Sequence, residues 1–338
     1  GSLEERASES LRSTYILWLS QLFISRPVAI GVAGVVLAGS GLMTTVSAAQ
    51  ESLPGDVLYS VKLINERAQL QLASLDRRAV LHTEFAQRRL REVEQLQSST
   101  TTRDTSIVTK TMNAYTQEVT SANQNLRALQ ASGKTTTVAT ANEVDQNLAT
   151  LNSTIAHTSV PLTSVDGSLA ASSALTTTQI AQEDVIAVAV EANDQHGAAA
   201  SEQDLQAMFT RQFGEIITRK AFDDHRIAVI RASLKEHASV FGNIQITSES
   251  DLSRLERSMD IAIADVMPAT DAFHASEYRS AFDALKRGDS VLRGIEAAIA
   301  DIETAITSAL MVSESQTTDT LLPTSDVPSS TPGTETQE

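Results

Sequence analysis

From about residue 57 onward, apolar positions recur three and four apart along nearly the whole chain, the spacing of one face of an α-helix. Val108, Met112, Tyr115, Val119, Ala122, Leu126 and Leu129 hold an a/d seam over three heptads. Ala131-Ser132-Gly133-Lys134 breaks it, and Val138, Ala141, Val144, Leu148, Leu151 and Ile155 resume it, which predicts a long helical hairpin with a turn at Gly133. Ahead of this, Val57, Val61, Ile64, Ala68 and Leu72 form one stripe. Leu81, Phe85, Leu90, Val93 and Leu96 form another, and the two predict a shorter hairpin. Glu84 with Arg88 and Arg88 with Glu92 are spaced as surface ion pairs.

Residues 158–173 and 193–200 carry Pro161, Gly167, Gly197 and many Ser and Thr, so they predict connections around a helix over 176–192. Ser201-Glu-Gln-Asp reads as a helix cap before Leu205, Phe209, Phe213, Ile216 and Ile217. Ile227, Ile230, Leu234 and Phe241 predict a further helix. Leu252 to Val266 predict another before Pro268, and Leu292, Ile295, Ile299, Ile302, Ile306 and Leu310 predict the last.

One stretch departs from periodicity. Between Arg26 and Glu51 no charge intervenes, and the 24 positions from 27 to 50 span about 36 Å at about 1.5 Å per helical residue. A hydrocarbon core is roughly 30 Å thick. Arg6, Arg12 and Arg26 precede the run while Glu51 and Asp56 follow it, so the positive-inside bias puts the N-terminus in the cytoplasm and the rest outside. Tyr15 and Trp18 suit an interfacial belt ahead of the span. Two other readings of the run stay open: a buried helix of a soluble domain, and a signal peptide cleaved after Ala48, since Val46-Ser47-Ala48 has the small residues a signal peptidase reads. Ala29 with Ala33 and Gly34 with Ala38 are small-xxx-small pairs that permit a homo-oligomer.

The expected fold class is therefore all-α: an N-terminal transmembrane helix, then long antiparallel helical hairpins forming a bundle, then a disordered C-terminal tail. The expected divisions are a short interfacial segment at 1–26, the membrane helix at 27–50, a hairpin at 51–98, and a long hairpin plus connecting helix at 99–200. A second helical subdomain follows at 201–312, and the tail at 313–338 is rich in Ser, Thr and Pro, with acids and no base.

Composition narrows the chemistry. Aromatics make up 4% of the chain and glycine and proline are scarce, which argues against sandwiches and barrels. A net charge of −16 gives no basic footprint for phosphates, so no nucleic acid is expected as a partner. The absence of cysteine excludes disulfides, thiol catalysis and Cys-ligated metals. Gly133-Lys134-Thr135 lacks the upstream glycine of a phosphate loop, because Ala128 stands there. Asp223-Asp224-His225 and His237 are metal-capable, but 225 and 237 are too far apart for one helix face. No catalytic, cofactor or metal residues are assigned, and no enzyme activity is expected.

The remaining signal follows the apolar run. In Ser52-Leu53-Pro54-Gly55-Asp56, Pro54 and Gly55 suit positions i+1 and i+2 of a type II turn, Asp56 can cap the next helix, and the helix should begin near Val57. Leu53, Pro54, Gly55, Asp56, Leu58, Tyr59, Val61 and Lys62, followed by Glu66, His82, Glu84, Ala86 and Arg88-Arg89-Leu90, resemble an uncharacterised bacterial extracytoplasmic domain family. Its signature, Leu-Pro-Gly-Asp-x-Leu-Tyr-Pro-Val-Lys, directly follows a membrane helix. Ser60 stands where that signature has its second Pro, and the resemblance covers about residues 49 to 97. Some members are similar to the outer portions of anti-sigma factors. The resemblance implies no catalytic residues; for Tyr59 and Lys62, turn anchoring or snorkelling towards a membrane surface is the expected role.

The functional expectation is a membrane-anchored extracytoplasmic protein, in contact with the lipid bilayer through 27–50, that scaffolds or binds an envelope protein. The alternatives are a transmembrane regulator of the anti-sigma type and a cleaved, secreted envelope protein. Residues 1–26 are short for a sigma-binding domain and hold no His or Cys for a zinc-binding version.

Overall fold

The computed structural model describes residues 49–98, 105–158, 165–196, 201–241 and 246–319. These residues form helices joined by turns and short connections, with no strand among them. The helices are α1 (Tyr59–Leu72), α2 (Leu75–Ser98), α3 (Thr105–Ala131), α4 (Thr137–Thr158), α5 (Val165–His196), α6 (Glu202–Glu236), α7 (Ala238–Phe241), α8 (Glu249–Val266), α9 (Ala269–His274) and α10 (Tyr278–Asp319). Among the described residues no helix is long and apolar enough to cross a membrane. The expected membrane segment at 27–50 lies outside them except for Ala49 and Gln50, and so do residues 1–26.

The chain divides into two units, Gly1–Val188 and Ala189–Glu338, with the boundary inside α5. In the first, α2 packs against both α3 and α4, which also touch each other. The seam positions of α3 and α4, from Val108 to Leu129 and from Val138 to Ile155, are all buried. The hairpin turn forms as the spacing predicts: Gly133 takes φ +66°, a left-handed value glycine adopts without Cβ strain, and its N–H donates to the Gln130 carbonyl at 2.9 Å. What the periodicity does not convey is that each arm packs on α2 as well as on its neighbour. Polar pairs fix the register. Thr83 accepts from Asn147 at 2.8 Å, the Tyr115 and Thr178 hydroxyls share a hydrogen bond at 2.6 Å, and Asp184 accepts from Asn123 and Arg127, each at 2.7 Å.

Three boundaries differ from expectation. α5 begins at Val165, so residues 165–173 are helical despite their Ser, Thr and Gly content. Ala171 and Ala174 are small enough to bury, and Thr176, Thr177 and Thr178 satisfy their hydroxyls on carbonyls four residues back. α6 runs unbroken to Glu236, joining two expected helices. α10 continues to Asp319, so residues 313–319 of the expected tail are helical, since each residue added to an existing helix gains a hydrogen bond. The rest of that tail, 320–338, lies outside the described residues.

In the second unit α6, α8 and α10 pack on one another, with α9 against α10. Phe209, Phe273, Phe282 and Tyr278 form an aromatic core, the Phe209 and Phe273 centroids lying 4.6 Å apart. Ser201 precedes α6 but does not cap it. Its hydroxyl donates to the Asn193 side chain instead. The true capping box belongs to α8, where Ser248 and Asp251 satisfy each other's backbone N–H groups. Gly288 of α10 allows α8 to approach: a Cβ there would sit 2.1 Å from Val266 Cγ2.

Candidate functional site: a buried ion cluster behind the Leu-Pro-Gly-Asp turn

The turn is built from its own residues. Asp56 N–H donates to the Leu53 carbonyl at 2.9 Å and Gly55 takes φ +107°, the positive value that position i+2 of a type II turn demands. The Asp56 carboxylate does not cap the following helix. It turns back and accepts from Leu53 N–H at 2.7 Å, and α1 starts at Tyr59, two residues later than expected, with no side-chain cap. Just upstream, Ser52 N–H and Oγ both donate to the Ala49 carbonyl, at 3.1 and 2.6 Å.

Lys62 ties this turn to the protein. Its ammonium donates to the Ser52 carbonyl at 3.1 Å and pairs with Glu92 Oε1 of α2 at 2.6 Å. Arg89, only 1% exposed, bridges Glu92 at 2.5 Å and Glu66 of α1. Arg88 reaches the other oxygen of Glu66 at 3.3 Å from a more exposed position. Tyr59 completes the group: its hydroxyl accepts from Arg89 and donates to Glu92 Oε2, both at 3.1 Å, and its ring lies beside the Lys62 and Arg89 cations. Burial holds the Tyr59 hydroxyl protonated far above the ordinary tyrosine range. Burial also pushes the Glu66 carboxyl upward, against the pull of Arg89 and Arg88. Two cations, Lys62 and Arg89, balance two anions, Glu66 and Glu92, so the interior carries no net charge from this core set.

Of the signature residues, Leu53, Pro54, Gly55 and Asp56 form the turn, while Tyr59 and Lys62 enter the cluster. Leu58 stands at the N-cap and Val61 is half-buried beside Lys62. Glu92 was the residue that spacing misplaced. It faces inward to Lys62 and Arg89, whereas the i,i+4 pattern with Arg88 set it on a solvent face; Glu84 pairs with Arg77 instead, at 2.8 Å. The outward stripe is the other departure. Val57, Ile64 and Leu72, expected to pack on α2, are 93%, 63% and 89% exposed, because the charged Lys62 and Glu66 take the inward face.

The remaining candidates do not assemble. Asp223 is buried and pairs with Arg226 at 3.1 Å, Asp224 pairs with Lys220 at 2.6 Å, and the His237 ring meets the Ser233 carbonyl. Among the described residues no group of three or more His, Asp or Glu is placed to hold a metal ion. The Gly133 amide is spent on the hairpin turn. What the cluster around Arg89 does chemically is clamp: every charged group in it is committed to another, and together they fasten α1 and the turn onto α2.

The comparison that bears on this region is a domain match. Residues 51–208 are covered by a domain of unknown function, DUF5667. That domain starts at Glu51, directly after the apolar run, takes in the turn and the whole cluster, and ends within α6. No curated protein and no solved structure matches the chain.

Proposed function

We propose that this chain is a single-pass, membrane-anchored extracytoplasmic protein whose helical units act by binding other envelope proteins, without catalysis. The observation that carries the proposal is the clamp. Ser52, two residues past the apolar run, is held through Lys62 to a buried ion cluster on α2. A helical domain fastened so close to the end of a bilayer-length segment is built to stand on that segment at a fixed attitude, which a freely tethered domain would not need. The segment itself supplies the anchor by its length and lack of charge, and its flanking arginines supply the orientation.

The test is photo-crosslinking in intact cells from the full chain, with the crosslinker at Gln124 on α3 and at Val229 on α6, both exposed. Discrete adducts with envelope proteins are expected. A chain that stays free of protein adducts at both positions refutes the binding role. The second reading, a regulator of the anti-sigma type, draws on the resemblance of residues 53–62 and on the same clamp, which would pass a change in the outer domain to the membrane segment. It predicts that a sigma factor co-purifies with the solubilised full chain. Cleavage after Ala48 would instead leave a secreted protein, and N-terminal sequencing of the mature chain would then begin at Ala49.

A further inference from the structure

α1 is amphipathic the wrong way round for a helix in water. Its inward side carries Lys62 and Glu66, 6% and 4% exposed and engaged with Arg89 and Glu92. The outward side carries Ile64, Ala68 and Leu72 at i, i+4 and i+8, flanked by Ser60 and Gln71, and Val57 stands just ahead of the helix; all are exposed. Burying ions while leaving an apolar stripe in water is unfavourable on both counts. The arrangement is favourable if the outer face meets something apolar. Seven residue steps lead from Gln50, the end of the apolar run, to Val57, and the four-residue turn at 53–56 lies among them. Extended chain covers at most about 3.6 Å per residue, so Val57 stands within about 25 Å of the point where that run ends. Arg67 is exposed on the flank of the same side, and an arginine there has the length to carry its charge to a phosphate layer beside an apolar face.

From this geometry we infer that α1 lies in the membrane–water boundary, with Val57, Ile64, Ala68 and Leu72 in contact with the lipid surface. The inference rests on the anchor reading of residues 27–50. The bilayer is the occupant because the chain that reaches it ends beside this face, and because an interfacial helix needs this pattern: apolar residues along one side, a basic residue among them, and the opposite side engaged elsewhere. The ion cluster then has a purpose, since it sets the rotation of α1 so that the stripe points away from α2.

The absence of cysteine makes the test direct. The full chain is reconstituted in phosphatidylethanolamine–phosphatidylglycerol vesicles containing a lipid with a shallow nitroxide, and single cysteines at Ile64→Cys, Gln124→Cys and Ala38→Cys carry an environment-sensitive fluorophore. The Ile64 probe should lose most of its emission to the nitroxide and resist aqueous iodide, while the Gln124 probe should do the reverse. An Ile64 probe as open to iodide as the Gln124 probe overturns the inference. So does one shielded from both quenchers, which would place a second copy or another protein on the stripe. The Ala38 probe separates the two readings: in lipid while the Ile64 probe is in water, only the inference about α1 fails; with both in water, the anchor fails too. A final variant, Ile64→Asp with Leu72→Asp and the probe at Ala68→Cys, should lose lipid quenching with unchanged helical circular dichroism, because both replaced side chains are exposed. Persistent quenching there would show that the stripe is not what docks.

Discussion

Arg89 touches Glu66, Glu92 and the Tyr59 hydroxyl, so its removal would leave buried Glu66 only its longer contact with Arg88 and buried Glu92 only Lys62 as cationic partners. Losing one partner of a buried ion set costs about 3–5 kcal/mol, and Arg89→Met is expected in that range. Urea denaturation should report it as a lower midpoint at unchanged slope. Lys62→Met should cost less, because Glu92 keeps Arg89 and Tyr59; an effect as large as that of Arg89→Met would mean the cluster is centred elsewhere. Asp223 gives a pH-dependent case. Burial, and then the nearby Glu296 charge, raise its carboxyl above the ordinary 3.8. The folded form therefore holds a proton that the unfolded form has released, and Asp223's contribution to stability falls as pH rises from the ordinary value through the raised one. Asp223→Asn should remove that decline, so the variant gains on the parent as pH rises above the ordinary carboxylate value in denaturation curves. A constant difference would contradict it. At this scale the sequence was only partly legible. Glu66 and Arg88-Arg89 stood out through the family resemblance, but Lys62 with Glu66, and Arg88 with Glu92, are spaced like solvent pairs, and spacing alone does not say which side of a helix faces in.

Helices were legible where packing alone decides them. The seams of α3 and α4 are buried at every position the heptad spacing marked, because a continuous, uncharged apolar stripe opposite Thr, Asn and Gln leaves one way to face. α1 has an equally regular stripe and the opposite outcome, since buried ion pairs took its inward side. Caps were harder still. Ser201 has the sequence of a cap and bonds to Asn193, while Ser248 and Asp251 form a capping box that periodicity did not single out. Close approach of helices is invisible to hydrophobic patterns, and Gly288 is the example. Gly288→Ala would press a methyl against Val266 and should destabilise by about 1–3 kcal/mol, the usual cost of overpacking. In a Val266→Ala background the same change should cost distinctly less, which a double-mutant cycle measures. Equal costs in both backgrounds would place the strain elsewhere.

For the whole molecule, an all-α fold follows from composition and period, and the described residues form helices with no strand among them. Its division was less legible. The two units part at Val188 and Ala189, inside a continuous helix whose sequence carries no turn signal there, and Asn193 and Asp194 bond forward to Ser201 and Arg279. Function was least legible, since no motif in the chain marks a chemistry and the matched domain is one of unknown function. The proposed topology is a cytoplasmic N-terminus, one span, and helical units outside. A chain free of native cysteine allows that to be read by labelling intact cells with a membrane-impermeant maleimide. Gln124→Cys should react at once, and Ser10→Cys only after the membrane is opened, with both variants remaining in the membrane fraction. Gln124→Cys protected in intact cells, or a chain released from the membrane with Ser10 missing, would contradict it.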